Sequence, residues 1–251
     1  MSTAVRTERI AEASPHFKAR IAGVLYLIII VAASFAEFFV RGRLVVGGDA
    51  AATATNILAH EPLYRLGAAA VLIYLPCDTA VALIFYELLK PVRRSLSLLA
   101  AFFRLIMVAI LGVNLLNHFA PLVLLKGGPF LTAFKTDQLQ ALALGSVKLY
   151  AQVFFIAMVF FGFQCLLIGC LIVRSTFLPR ILGVLLAIGG SSYVISSFAT
   201  FLAPAFGAGL SPFIIPAALL GEGSLTLWLL VKGVNAERWK ERASAPGEWR
   251  T

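Results

Sequence analysis

Three ionisable residues stand in the middle of otherwise apolar stretches, and chemistry would be sought there first. Asp78 lies twelve residues before Lys90, Arg104 ten residues after Arg94, and Glu222 ten before Lys232. At helical rise these spacings put all three roughly 15–18 Å from the nearest basic cluster, close to one common level. An ionisable side chain at such a depth in a membrane costs a few kcal/mol or more, so each needs a partner or a purpose. Two acids and one arginine leave one negative charge over. Either one acid holds a proton, or a cation or basic ligand group completes the set, and Asp78, Arg104 and Glu222 form a candidate ligand or ion site. The plainer alternative is an ion pair that fixes helix register and does nothing else.

A second polar layer is expected nearer the opposite side. It comprises Glu37, the pair Lys148 and Gln152 one turn apart, and the pair Asn114 and His118, also one turn apart. Asn114 and His118 fall within about 80° of Arg104 around a helix axis, giving that helix one polar stripe. His118 reads as a hydrogen-bonding residue, and Glu37 can pair with Arg41 as easily as with Lys148.

The elements that must hold these residues are membrane helices. Of 251 residues, 60% are hydrophobic and 13% charged, and the mean hydropathy is +0.92. Soluble domains are about 45–50% apolar and about 25% charged. A soluble enzyme, a nucleic-acid binder and a disordered chain are thereby excluded. The apolar residues fall into six spans, residues 21–40, 64–89, 95–125, 139–173, 181–202 and 213–231, each long enough to cross a bilayer. The third and fourth exceed what the hydrocarbon core needs and should tilt or extend beyond it. A polar lead and five later spans make the first span a retained helix, not a cleaved signal.

Lys and Arg orient the spans. Fourteen lie on one side: Arg6, Arg9, Lys18 and Arg20, then Lys90, Arg93 and Arg94, then Arg174 and Arg180, and finally Lys232, Arg238, Lys240, Arg242 and Arg250. Arg41, Arg43, Arg65, Lys126 and Lys135 make five on the other. The positive-inside rule therefore places both termini in the cytoplasm. The net charge of +9 is concentrated at span ends, where it meets anionic headgroups and not nucleic acid. The expected layout is a cytoplasmic basic tail over residues 1–20, a six-helix domain over 21–234 and a cytoplasmic tail over 235–251.

Local signals refine this layout. Asp49 before an alanine-rich run predicts a capped short helix, surface or re-entrant, that ends near Glu61-Pro62. Gly189, Ser192, Ser196 and Thr200 form a small-residue stripe suited to close helix packing. Pro76 and Pro216 are candidate local breaks. Arg20-Ile21-x-Gly23-Val24-Leu25 matches Arg180-Ile181-x-Gly183-Val184-Leu185, and each is followed by a helix with a lone acid, as a parallel repeat would produce. Cys77, Cys165 and Cys170 all lie in apolar segments without metal-ligand spacing.

Catalytic signatures that work in membranes are missing. There is no H-E-x-x-H, no G-x-S-x-G, no G-x-G-D and no phosphate-binding glycine loop, and His16, His60 and His118 fall in unrelated places. No cofactor or metal is implied. Asp78 and Glu222 could in principle act as acid and base.

The chain resembles a bacterial multipass family known as domain of unknown function 4386. The resemblance rests on Arg43-Leu44-Val45-Val46 with Gly48-Asp49-Ala50-Ala51-Ala52-Thr53-Ala54, and on Cys77-Asp78-x-Ala80-Val81-Ala82-Leu83. It continues in Leu88-Leu89-Lys90-Pro91-Val92, Phe160-Phe161-Gly162-Phe163, Phe177-Leu178-Pro179-Arg180 and Leu227-Trp228-Leu229-Leu230-Val231-Lys232-Gly233. It implies a bacterial origin and a helical multipass fold, and carries no activity with it; together with the spans above, the expectation is an all-α bundle of six helices in the bacterial cytoplasmic (inner) membrane. Two readings stay open: a protein that binds or transports a small solute, ion or proton at the mid-membrane charges, and a scaffold or accessory protein, self-associating in the membrane plane, whose charges are structural. An intramembrane enzyme comes third.

Overall fold

The computed structural model describes residues 14–244, and there is no strand among them. Helix α1 runs Pro15–Leu44. Ser14 caps it, its hydroxyl oxygen accepting from the Phe17 N–H at 3.2 Å, with Pro15 at the position where a missing N–H is harmless. The short helix α2, Ala50–Ala59, is capped as its sequence predicts, Asp49 Oδ1 accepting from the Ala52 N–H at 2.9 Å. His60 ends it, and α3, Glu61–Leu89, begins at once with Pro62 in its first turn. There follow α4, Arg94–Lys126, α5, Thr136–Arg174, and α6, Arg180–Leu202. The chain closes with α7, Pro204–Ala218, α8, Ser224–Val231, and α9, Ala236–Ser244.

Five of these, α1, α3, α4, α5 and α6, are long and apolar enough to cross a membrane, and the stretch Pro216–Val231 makes a sixth if it is counted with α9, from which it is bent by 100°. Hydrogen bonding shows how often the chain traverses the bundle. His16 Nδ1 lies 3.3 Å from the Val234 carbonyl, so the start of α1 and the end of α8 share one end. Six passes return the chain there when Pro216–Val231 is counted as one. At about 1.5 Å per residue this last pass is the shortest of the set. Residues after 235, read from sequence as a tail, begin as a helix laid across that end, with Trp239 Nε1 donating to the Leu88 carbonyl at 2.8 Å. Arg6, Arg9 and Arg250 lie outside the described residues.

Two helices carry π-helical turns: Phe35–Arg41 within α1 and Leu219–Gly223 between α7 and α8. Pro76 sits inside an unbroken α3, whereas Pro216 precedes the second π-helical turn by three residues. Each such turn adds one residue to the helical repeat and is common where a helix is shaped for function.

The tightest packing joins α5 to α6. A Cβ on Gly169 would sit 2.6 Å from the Gly183 carbonyl oxygen, and one on Gly190 2.8 Å from that of Gly162, so the two backbones touch at both levels. The small-residue stripe noted from sequence faces elsewhere. Gly189 approaches the Ala217 carbonyl, while the hydroxyls of Ser192, Ser196 and Thr200 donate to carbonyls of their own helix. The matching glycines of the suspected repeat meet different partners, Gly23 the backbone of Leu230 and Gly183 that of Gly169. The two hairpins are therefore not packed as equivalent units.

Candidate functional site

Asp78 and Arg104 face each other across the α3–α4 hairpin, with 2% and 0% of their surfaces exposed. Arg104 Nε donates to Asp78 Oδ1 at 2.8 Å, and Nη2 donates to the same oxygen. The guanidinium lies over the Tyr26 ring of α1, 4.8 Å from its centroid, and over the Phe161 ring of α5 at 5.5 Å. This is a closed arrangement: the charges cancel and aromatic faces cover the cation, while Arg104 Nη1 is buried without a hydrogen-bond partner among the described residues.

Glu222 is different. Tyr26 joins the two centres, its ring against Arg104 and its hydroxyl donating to Glu222 Oε2 at 3.2 Å. Tyr193 of α6 donates to Glu222 Oε1 at 2.8 Å. No Lys or Arg pairs with Glu222 among the described residues. Glu222 is half-buried because it borders a cavity of about 500 Å³ between α1, α5, α6 and the α7–α8 segment. The walls are mostly apolar, with Ile30, Ala33 and Phe38 from α1, Phe154 and Phe155 from α5, and Leu219 beside the acid. Glu37, Arg41 and Tyr150 line its far portion. Asp78 and Arg104 do not border it. Both π-helical turns do, and each presents its own glutamate, Glu37 or Glu222, to the same space.

The second polar layer is partly assembled. Glu37 pairs with Arg41 one turn on, and the Arg41 guanidinium carbon lies 3.6 Å from the Tyr150 ring centroid. Asn114 Nδ2 donates to the Tyr150 carbonyl at 2.9 Å, and His118 Nε2 lies 3.0 Å from the Tyr64 carbonyl while Tyr64 donates back to the His118 carbonyl at 2.8 Å. With Arg104 buried on the same helix, α4 does carry one inward polar stripe. Lys148 and Gln152 do not join this layer: both are exposed, because Val147, Tyr150 and Phe154 take the inward positions of α5. Tyr26 and Tyr193 went unnoticed in the sequence. Their signal was a phenolic hydroxyl inside an apolar run, which in hydrocarbon needs an acceptor.

Five to six apolar helices around a buried ion pair, beside a cavity lined by an acid with no ion-pair partner among the described residues, define an all-α polytopic membrane protein. Within that class the chain belongs to the family described as Domain of unknown function (DUF4386), whose model matches residues 21–233. It is similar to an "Uncharacterized protein" of Archaeoglobus fulgidus, 27% identical over 156 residues, which is 62% of this chain and 76% of that one. No solved structure matches it.

Proposed function

We propose that the protein binds a small solute within the membrane, in the cavity that ends at Glu222. The carrying observation is that a space of about 500 Å³ reaches an acid at the level of the buried ion pair. Cavities of this size suit small ligands when a few convergent polar groups orient an otherwise apolar pocket, and Glu222 with its two tyrosines supplies them. The proposed setting is a bacterial cytoplasmic membrane with both termini inside, supported by the gathering of Lys18, Lys90, Arg174, Arg180 and Arg238 at the end of the bundle where α1 starts. The cavity then occupies the outer half, and an alternation of access at Glu222 would turn binding into transport.

The closed Asp78–Arg104 pair favours the structural reading for those two residues alone. They hold Tyr26, and through it Glu222, in place.

A thermal-shift series against small aromatic amines and alcohols tests the binding reading, since a ligand that binds the folded state raises its apparent stability. Ala33→Phe fills the cavity wall. The expected result is stabilisation of the unaltered protein by at least one class and none in Ala33→Phe. Equal shifts in both proteins would place the binding elsewhere, and no shift with any compound counts against the reading.

A further inference from the structure

We propose that the solute is an amphipathic monocation and that Glu222 gives up a proton when it binds. The inference rests on the cavity-binding reading and specifies its chemistry. Within the bundle, Asp78 cancels Arg104 and Glu37 cancels Arg41, which leaves the carboxylate of Glu222 without a balancing charge. The groups that face it are Tyr26 of α1, Tyr193 of α6, Cys165 of α5 and, beyond Tyr26, the Arg104–Asp78 pair of α4 and α3. Among these the only cation is already matched. An uncompensated charge in a low-dielectric interior is costly, so until a cation enters, Glu222 holds a proton. A cation that enters along the apolar walls can replace it.

The exchange balances simply. The carboxyl O–H bond breaks, the proton leaves to water, and the carboxylate pairs with the cationic head while Tyr26 and Tyr193 keep donating to its two oxygens. The Ile30, Ala33, Phe38 and Phe154 walls take the apolar body. Neither a neutral solute nor an anion would discharge the acid in this way. Because solute and proton compete for one oxygen pair, raising the pH strengthens binding, by close to tenfold per pH unit while Glu222 is mostly protonated.

Calorimetric titration of the full chain in lipid nanodiscs with tetraphenylphosphonium, run in two buffers of different ionisation enthalpy, counts the protons; empty nanodiscs give the blank. The neutral comparison is triphenylphosphine oxide. The expected result is one proton released per cation, with both binding and release lost in Glu222→Gln, whose thermal unfolding checks that it still folds. Cation binding without proton release overturns the exchange but leaves the binding reading intact, as does binding that survives in Glu222→Gln. If only the neutral compound binds, the cation class is wrong. If neither binds, the inference and the reading beneath it fail together.

Discussion

Arg104 is held by more than its ion pair. Both donating nitrogens go to one oxygen of Asp78, and the flat cation is covered by Tyr26 and Phe161. Removing one partner of such a buried pair strands the other charge, at about 3–5 kcal/mol, whereas removing both costs less. Asp78→Asn and Arg104→Gln should each lower stability in detergent by about that amount, and the double variant should regain a substantial part of the loss. A double variant as unstable as the sum of the two singles would show that the residues act independently. Glu222 has the opposite expectation. No cation pairs with it among the described residues, so Glu222→Gln should leave the unfolding temperature unchanged or raise it, as happens where a fold retains a group for function. A marked drop would make Glu222 structural. The proximity of Asp78 and Arg104 was legible in the sequence, because a short hairpin and matched depths leave few alternatives. Tyr26 was not: one tyrosine in a run of Ile and Leu does not interrupt the apolar pattern, and only the folded chain brings its hydroxyl to the acid in the Leu219–Gly223 turn.

Among elements, the α5–α6 hairpin is the clearest case of sequence setting distance. Gly162 and Gly169 on one helix meet Gly190 and Gly183 on the other, and at these contacts a Cβ would fall within 2.8 Å of a carbonyl oxygen. Gly183→Leu should therefore force the helices apart and cost about 1–3 kcal/mol or more, the range for overpacked cores. Gly145→Ala in α5 is the internal control. Nothing lies within 4 Å of the added methyl, so the change should stabilise by up to about 1 kcal/mol through helix propensity alone. Parallel thermal unfolding of both variants decides the point, since similar effects would mean that packing is not what distinguishes them. The six spans were readable from apolar run length, and the capped α2 from Asp49. The π-helical turns were not readable, because one extra residue in a uniformly apolar helix leaves no mark on its periodicity. The cavity was hidden for the same reason, since both of those turns line it, with Glu37 and Arg41 from one and Leu219 and Glu222 from the other.

At the scale of the molecule, charge is distributed unevenly between the two ends. At the end of the bundle opposite the start of α1, Glu37 neutralises Arg41, and Glu61 contacts both Arg65 and Lys126. At the other end, among the described residues, Lys18 alone of the Lys and Arg side chains forms an ion pair, with Glu87. Acid pairing thus sharpens the asymmetry that the Lys and Arg positions already show. Lys135→Cys should react with a membrane-impermeant maleimide in intact cells, and Lys240→Cys only after the cells are opened. Cys77, Cys165 and Cys170 are buried or half-buried and provide little background. The reverse labelling pattern would invert the proposed orientation and turn the cavity toward the cytoplasm.

The turn at Leu219–Gly223 has a genetic consequence. A π-helical turn is an α-helix with one residue inserted, so loss of a single codon within it would restore an ordinary helix. The helix on either side would keep its facing, because the turn already absorbs the extra residue, and only the side chains within the turn would be re-aimed. The protein could still insert and pack, yet Glu222 would point away from the cavity. An in-frame deletion at this place would therefore separate assembly from binding, and a second-site insertion nearby would be the natural suppressor to seek.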